Sequence, residues 1–551
     1  MSEEFTPEEI QILSKYVTNP TGDTFCVTIP GLAGPIYARY SRAVTGLRRT
    51  LLKEFLKDGE LNVTRTQELI ERILNEYGDD SVGELEGAHL ALEQVSNVLT
   101  KLVEDRRIGG SPIEQSTRYV FYDQKDKEGR YKYYRGEEIL NSPVGNEYVQ
   151  TMDLLFDTYA SAVQPLTEYF RKLKPMEEAE YGIKDVSEKQ KYAEMDTEAL
   201  QKQFRITYNA DLRTKACDIL RDLLPAATLT NVGLFGNGRY YQHLLTRLYS
   251  HELSEANRRS SEAHAELNKV IPKFVKRAKR DEYWIEVKRN MRKLSDELLH
   301  GIAPSSEESC VLLSPAGSSE ELLVRTLAVG LYPYSKHPLR QLVDIVRQMS
   351  YDMRSNLLET CTGKRRSRRD RPGRAFETGY PLTFDIQADF GAYRDLQRHR
   401  ILTQERQLLN PHLGFDIPEE IESIGFKQRV LDCYERSQKL HEKMARQLSP
   451  ELAQYAVLLG FKIRWIMGMN FREAMHFIEL RTTPQGHPRY RHVSQQMMDA
   501  IRNQHPELAA TIQFADYNEY YWSRAESEAR QRRKERETDE RFSPQRHEDN
   551  K

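Results

Sequence analysis

The sequence predicts a mixed α/β (α+β) fold that is richer in helix than in sheet. Amphipathic segments with helical spacing alternate with a few strand-like runs, and 39% of the 551 residues are hydrophobic. A chain of this length allows roughly two to four domains, each able to bury a core. Residues 382–386 alternate like a half-buried strand and 389–400 take up helical spacing, an order that recurs at 88–92 and 98–103.

Charge and composition argue against several classes of protein. The 81 basic and 83 acidic side chains leave a net charge of -2, so no global field attracts nucleic acid or a membrane surface. The first residues lack the pattern of a signal peptide, and no apolar run is long enough to span a bilayer. We therefore expect a soluble, cytoplasmic protein without membrane association. The five cysteines are scattered singly, which indicates neither a disulfide framework nor a metal site.

One group of chemically active residues occurs twice in the sequence. The first copy spans residues 106–119, and the second begins at Arg398-His399-Arg400. A further block follows each copy, with an arginine and a histidine four residues apart on one helical face and an asparagine that is expected to cap the helix. The members of this block are Asn237, Arg239 and His243 in the first half and Asn470, Arg472 and His476 in the second. Two blocks repeated in one order predict a tandem domain.

The first copy resembles the motif R-H-R-x-x-S-x-N-E-x-S-x-R-Y of the flavin-dependent thymidylate synthases. The matching residues are Arg106, Ser111, Glu114, Ser116, Arg118 and Tyr119. The second copy keeps the whole Arg398-His399-Arg400 triplet, but Leu408 and Asn410 stand where the nucleotide-binding residues of the family would fall. Each half therefore retains the part of the motif that the other half has lost.

The resemblance implies two tandem domains of this family, each helix-rich with a small, mostly antiparallel sheet. We expect a first domain at 1–300 with charged insertions at about 123–136 and 172–202, a second at 305–524, and a charged, disordered tail at 525–551. The resembled family builds its sites in a homotetramer. Two tandem chains would reproduce that arrangement, so we expect a homodimer that forms a pseudo-tetramer.

The resemblance also implies a role for each candidate residue. Nucleotide binding is expected for Ser111, Glu114, Ser116, Arg118, Tyr119 and Arg221. Flavin binding is expected for Ser41, Arg398, His399, Arg400, Asn470, Arg472 and His476. Arg481 is the candidate catalytic residue, because the family uses its counterpart against the uracil ring, and 451–481 is similar to the family's long C-terminal helix. A nucleotide phosphate needs fork-shaped cations and hydroxyl donors, which arginine and serine provide.

The implied reaction is the reductive methylation of deoxyuridine monophosphate (dUMP) to thymidine monophosphate (dTMP). Methylenetetrahydrofolate would give the carbon, and FAD reduced by NADPH would give the hydride. Arg472 and Arg481 are nine residues apart on one helix and so about half a turn out of phase. They cannot both face one small ligand, and composite sites built between halves or subunits are therefore expected.

Two alternatives to the enzyme stay open. A second family motif, H-x-T-P-F-E-H, corresponds to 81–87 and 374–378 and has lost its histidines in both copies. This loss favours a catalytically degenerate sensor or scaffold that binds a nucleotide or flavin. The basic run 364–371 and the charged tail favour a nucleic-acid-binding protein. Because the run lacks interleaved aromatic residues, we do not expect nucleic acid as a partner.

Overall fold

A computed structural model of the protein describes residues 5–21, 36–37, 46–57, 60–61, 84–105, 108–118, 120–182, 189–367 and 370–522. These residues form two compact units. Unit 1 takes its residues from 1–95, 99–115 and 230–286, and unit 2 from 96–98, 116–229 and 287–551. Residues 116–229 of the first half therefore group with the second half. The expected domains at 1–300 and 305–524 describe the sequence repeat and stay a prediction.

Unit 1 is built on a three-stranded sheet. The strand Leu229–Asn237 lies between Gly87–Ser96 and Gly110–Glu114 and pairs antiparallel with the latter. Helix Asn97–Glu104 follows the first strand directly, as the sequence predicts. The other elements among the described residues of this unit are helices Pro7–Leu13, Leu47–Thr50, Gly238–Tyr249, Ser254–Val270 and Pro272–Val275, the π-helix Leu51–Phe55, and the paired strands Leu56–Lys57 and Glu60–Leu61.

Unit 2 contains a four-stranded antiparallel sheet. Its strands lie in the order Leu402–Arg406, Lys462–Met469, Leu382–Asp389 and Cys310–Leu313. The two central strands are largely buried. Val311, Leu313 and Ile466 share one apolar core with the helices near residues 319–348, and helix Pro488–Gln504 also packs against the sheet. The sheet is thus the centre of the unit.

Helices make up most of the rest of unit 2. In chain order they are Glu137–Leu140, Gly145–Leu173, Glu198–Leu220, Glu282–Leu298, Ser319–Leu331, Leu339–Gln348, Tyr351–Thr362, Phe390–Leu396, Glu419–Ser423, Lys427–Gln447, Pro450–Ala453, Phe471–Arg481, Pro488–Gln504 and Pro506–Ala509. The predicted insertion at 172–202 contains the paired strands Glu180–Tyr181 and Gln190–Lys191. Among the described residues, no helix combines the length and apolar character needed to cross a membrane.

The helix-rich α+β architecture with small antiparallel sheets agrees with the prediction. The strand Leu382–Asp389 leads into helix Phe390–Leu396, and the Arg-His-Arg triplet follows that helix. The prediction of a long helix over 451–481 is wrong, because Lys462–Met469 forms a strand before helix Phe471–Arg481. This strand is central and buried, and a short apolar run does not distinguish a buried strand from a buried helix. The predicted tail lies outside the described residues.

Candidate functional site

A cluster of buried arginine and aspartate side chains in unit 2 contains the predicted nucleotide-binding arginines. Arg118 is 2% exposed and forms a bidentate ion pair with Asp218, with an Nε–Oδ1 distance of 2.5 Å and an Nη2–Oδ2 distance of 2.6 Å. Its backbone N–H donates to the Ser116 hydroxyl at 3.2 Å. Burial acts to lower the pKa of Arg118, but the Asp218 carboxylate outweighs this effect and raises it. Arg118 is therefore a charged group held in one orientation.

Arg221 is the second buried arginine of the cluster, and it is 1% exposed. It lies in the turn Arg221–Leu223 after helix Glu198–Leu220. Its Nη1 is 2.9 Å from Oδ2 of Asp395. Within the part of the chain that the structure describes, its Nε and Nη2 have no hydrogen-bond partner. Buried donors are normally satisfied, so this guanidinium retains two unused donors.

Asp395 connects the buried arginines with the Arg-His-Arg triplet. It lies on helix Phe390–Leu396, three residues before Arg398. Burial acts to raise the pKa of Asp395, but the guanidinium groups of Arg221, Arg118 and Arg398 outweigh it and hold the pKa below its ordinary value. Asp395 is therefore an ionised carboxylate, and arginines from both sequence halves surround it.

Arg481 lies at the C-terminal end of helix Phe471–Arg481 and belongs to the same cluster. Its Nε donates a hydrogen bond to Nε2 of His399 at 2.8 Å, and its guanidinium lies 5.9 Å from the ring centroid of Tyr490. Burial lowers the pKa of Arg481. Tyr490 interacts electrostatically with both Arg118 and Arg481. The candidate residues for the phosphate and for the uracil ring therefore share neighbours.

The His399 ring is buried against side chains of the helix that carries Arg481. Its Nδ1 is 3.1 Å from Oε1 of Glu473, and its ring centroid is 4.4 Å from that of Phe477 and 5.8 Å from that of His476. Because Nε2 accepts from Arg481, we assign the proton to Nδ1, which donates to Glu473. Burial lowers the pKa of His399 despite the opposing effect of Glu473. The neutral His399 ring therefore links Glu473 and Arg481 through hydrogen bonds.

We expect His399 to stay neutral at pH values at which an ordinary histidine, with a pKa of about 6.5, becomes protonated. Substituting Glu473→Gln keeps an acceptor for Nδ1 but removes the negative charge that favours the imidazolium, so it should lower the pKa further. Nitrogen chemical shifts of labelled histidine, assigned with a His399→Gln variant, measure both values. A pKa above the ordinary value, or one that rises in Glu473→Gln, would contradict this assignment.

The remaining predicted flavin-binding residues of unit 2 are more accessible. Arg398 is half-buried, whereas Arg400, Arg472 and His476 are exposed. Asn470 caps helix Phe471–Arg481, since its side-chain oxygen accepts the backbone N–H three residues further on at 2.9 Å. This cap agrees with the sequence prediction, and Asn237 caps its helix in the same way.

Two predicted nucleotide-binding residues belong to unit 1, whereas the arginine cluster belongs to unit 2. Ser111 and Glu114 are on strand Gly110–Glu114, where the former is exposed and the latter is buried. Ser41, Arg106 and Tyr119 lie outside the described residues.

In the basic run 364–371, the Nε of Arg365 donates to the Asp370 carbonyl oxygen at 2.7 Å, and the backbone N–H of Arg366 donates to the Asp370 side chain at 2.6 Å.

Sequence reasoning missed the acidic members of the cluster. Asp218 precedes Arg221 by three residues and Asp395 precedes Arg398 by three, a spacing that indicates local pairs on one helical side. The structure instead pairs each aspartate with an arginine from elsewhere in the chain. His487 and Tyr490, around the start of helix Pro488–Gln504, were missed as well. His487 is buried, and its Nε2 is 3.4 Å from the Asp218 carbonyl oxygen.

Comparison with known proteins agrees with this arrangement of two related halves. Residues 38–273 and 343–507 match the family described as thymidylate synthase complementing protein. The chain is 38% identical over 547 residues to a UPF0159 protein of Chlamydia pneumoniae, covering 96% of this chain and 98% of that one. It is 37% identical over 553 residues to a UPF0159 protein of Chlamydia muridarum, covering 96% of this chain and 99% of that one. It is 32% identical over 502 residues to a UPF0159 protein of Thermoplasma acidophilum, covering 90% of this chain and 98% of that one. Because two separate regions match, this chain belongs to the thymidylate synthase complementing protein family and carries its domain as a tandem duplication.

Proposed function

We propose that this protein is a flavin-dependent thymidylate synthase, which methylates dUMP to dTMP with methylenetetrahydrofolate and NADPH. The observation that carries the proposal is the arginine cluster of unit 2. Arg118 and Arg221 come from the first half of the sequence, and Arg398 and Arg481 from the second. All four interact electrostatically with Asp395. A site that draws its cations from both halves matches the complementary losses in the two motif copies.

Arg221 is the residue best placed to hold the nucleotide phosphate. Its Nε and Nη2 lack partners among the described residues, and a phosphate accepts two such donors from one guanidinium. Arg118 is held by Asp218 and contributes mainly positive charge. With the neighbouring ion pairs of Arg489 to Asp222 and Asp389 included, five arginines face four aspartates, which leaves a small net positive charge that favours an anion.

Arg481 would bind and polarise the uracil ring. Its bond to His399 fixes the guanidinium plane, and its partial burial strengthens its electrostatic interaction with a carbonyl oxygen. Negative charge that develops on that oxygen would meet a fixed cation that needs no reorganisation. Glu473 holds the His399 ring and so positions Arg481 indirectly.

The residues of unit 2 also fit the anionic part of FAD, which supplies the hydride chemistry when it is bound. Arg398, Arg400 and Arg472 provide guanidinium forks of the kind that a pyrophosphate requires, and His476 adds an imidazole. Arg400, Arg472 and His476 are exposed, so a cofactor can reach them from solvent. We further propose that the protein is a cytoplasmic homodimer, which light scattering would measure as twice the mass of one chain.

The purified protein is expected to be yellow, with the absorption spectrum of oxidised flavin, and to convert labelled dUMP to dTMP when methylenetetrahydrofolate and NADPH are present. Substituting Arg398→Ala should lower FAD affinity by at least about tenfold, the loss of one charge-assisted hydrogen bond, while dUMP affinity changes less. Arg436→Ala, at an exposed position of unit 2, is the matched control. A protein that takes up no added FAD would contradict the proposal.

One observation favours a second candidate, a catalytically inactive sensor or scaffold that binds nucleotide or flavin. In the segment that replaces the H-x-T-P-F-E-H motif, Arg374 donates to the carbonyl oxygen of Gln404 at 2.9 Å, and Glu377 accepts from the Thr403 hydroxyl at 2.6 Å. Both side chains thus support strand Leu402–Arg406. Binding of FAD and dUMP without turnover would select this candidate.

A further inference from the structure

Unit 2 contains a cavity of about 420 Å³ that shares no residue with the arginine cluster. Residues of helix Glu282–Leu298, the turn Tyr332–Tyr334, the loop after strand Leu402–Arg406 and the last turns of helix Lys427–Gln447 line it. Pockets that enclose small organic ligands measure about 300–1,000 Å³. The cavity is therefore large enough for one small molecule.

The walls of the cavity combine apolar surface with two exposed cationic side chains. Pro333, Tyr334 and Leu408 present apolar and aromatic surface of the kind that packs against a flat ring. Lys336 and Arg446 also line the cavity, both are exposed, and within the described residues neither forms an ion pair. An acidic group on a ligand would give these two cations a partner.

Two histidines add polar groups to the lining. His441 is 7% exposed, and its Nδ1 has no hydrogen-bond partner among the described residues. The His412 ring lies 5.9 Å from the His441 ring and nearly perpendicular to it. Burial lowers the pKa of His441 to about 4 and also lowers that of His412. Neutral imidazoles each offer one donor and one acceptor, which suits the amide-like edge of a heterocycle.

The charges of the lining limit the class of ligand. Asp296 and Glu442 supply two carboxylates, and the cation of Arg292 pairs with Glu451. Lys336 and Arg446 therefore roughly balance the two acidic groups. The lining is thus close to neutral, so an acidic group would be held by direct pairing with Lys336 or Arg446 and not by a net field, and a ligand with one acidic group fits better than a polyanion does.

The cavity lies where the second sequence copy has lost its nucleotide-binding arginines. Leu408 and Asn410 occupy the positions of Ser116 and Arg118 in the sequence repeat, and Gln454 occupies that of Arg221. The Gln454 side chain instead accepts the backbone N–H of Leu409 at 3.2 Å and so supports the loop. Lysine and arginine from other elements supply the charge here.

We propose that this cavity is a second ligand site, which binds a small organic anion made of a flat heterocycle and one acidic group, of the size of a nucleoside monophosphate. The site stands apart from the proposed synthase activity, because none of its lining residues belongs to the arginine cluster. Its ligand would be recognised by one ammonium group, one guanidinium group and an aromatic wall, whereas the cations of the arginine cluster are all guanidinium groups.

Calorimetric titration of the full-length protein with dTMP tests the proposal. Wild-type protein is expected to bind dTMP at this site, and the double variant Lys336→Ala/Arg446→Ala should lose one bound dTMP per chain. Thymidine, which lacks the phosphate, should bind at least about tenfold more weakly, because it forms no charge-assisted hydrogen bond. The control Lys439→Ala removes an exposed lysine of the same helix that lies outside the cavity lining.

An unchanged dTMP stoichiometry in the double variant would overturn the proposal, as would equal affinity for thymidine and dTMP. Both substituted side chains are exposed, so the variant should fold, and its circular dichroism melting curve verifies this. Failure of the synthase proposal would look different. In that case Arg221→Met would leave dTMP binding unchanged, while the cavity variant would still remove one bound molecule.

Discussion

Replacing Asp218 with alanine is expected to lower the free energy of unfolding by about 3–5 kcal/mol. Arg118 is 2% exposed and makes both of its short ion-pair contacts with this carboxylate. Removing the aspartate leaves a buried guanidinium without its hydrogen-bonded counter-charge and with only the longer-range attraction of Asp395, and burying such a charge is costly. Urea denaturation followed by circular dichroism measures the change.

A second variant separates the structural role of this ion pair from its role in binding. The double substitution Arg118→Met/Asp218→Leu replaces the pair by apolar groups of similar volume, and such replacements are often neutral or stabilising. We expect it to recover most of the lost stability but to bind dUMP more weakly than the wild-type protein, because it lacks the Arg118 cation. Asp432→Ala, at an exposed position of unit 2, should change stability by less than about 0.5 kcal/mol. Wild-type stability in Asp218→Ala would show that the pair does not support the fold.

Much of the fold could be predicted because local patterns determine it. The alternation in residues 382–386 predicts the strand Leu382–Asp389, and an asparagine before each arginine-histidine block predicts the helix caps. The prediction of a helix over 451–481 failed where local pattern is ambiguous. Lys462–Met469 is buried on both faces in the middle of a sheet, and only the neighbouring strands determine its extended state.

The candidate site could be predicted in part. Arg118, Arg221, Arg398 and Arg481 all match the family motifs, and they interact with shared neighbours in unit 2. The pairing of each arginine could not be read from the sequence, because Asp218 and Arg118 are 100 residues apart and only tertiary packing brings them together. Ser111 and Glu114 belong to the same motif as Arg118, yet they lie in unit 1, since the chain passes into unit 2 at Ser116.

Replacing Arg221 with methionine is expected to weaken dUMP binding by about 100-fold or more, because two charge-assisted hydrogen bonds contribute about 1.5–3 kcal/mol each. Asp395→Asn should have the opposite effect. Oδ2 of Asp395 accepts a hydrogen bond from Nη1 of Arg221 at 2.9 Å, and its negative charge repels a phosphate. Removing this charge should therefore tighten dUMP binding by about fivefold to tenfold. Calorimetric titration with dUMP measures both, and Arg436→Ala serves as the control.

The opposite signs of the two effects distinguish an anion site from a structural ion pair. If Arg221 and Asp395 only held each other in place, both substitutions would disturb the same buried pair and weaken binding together. If Arg221 binds the phosphate, its unpartnered Nε and Nη2 provide the affinity, and Asp395 competes with the substrate for the same cation. Equal losses of dUMP affinity in the two variants would place the phosphate elsewhere, and tighter binding in Asp395→Asn alone would locate it at Arg221.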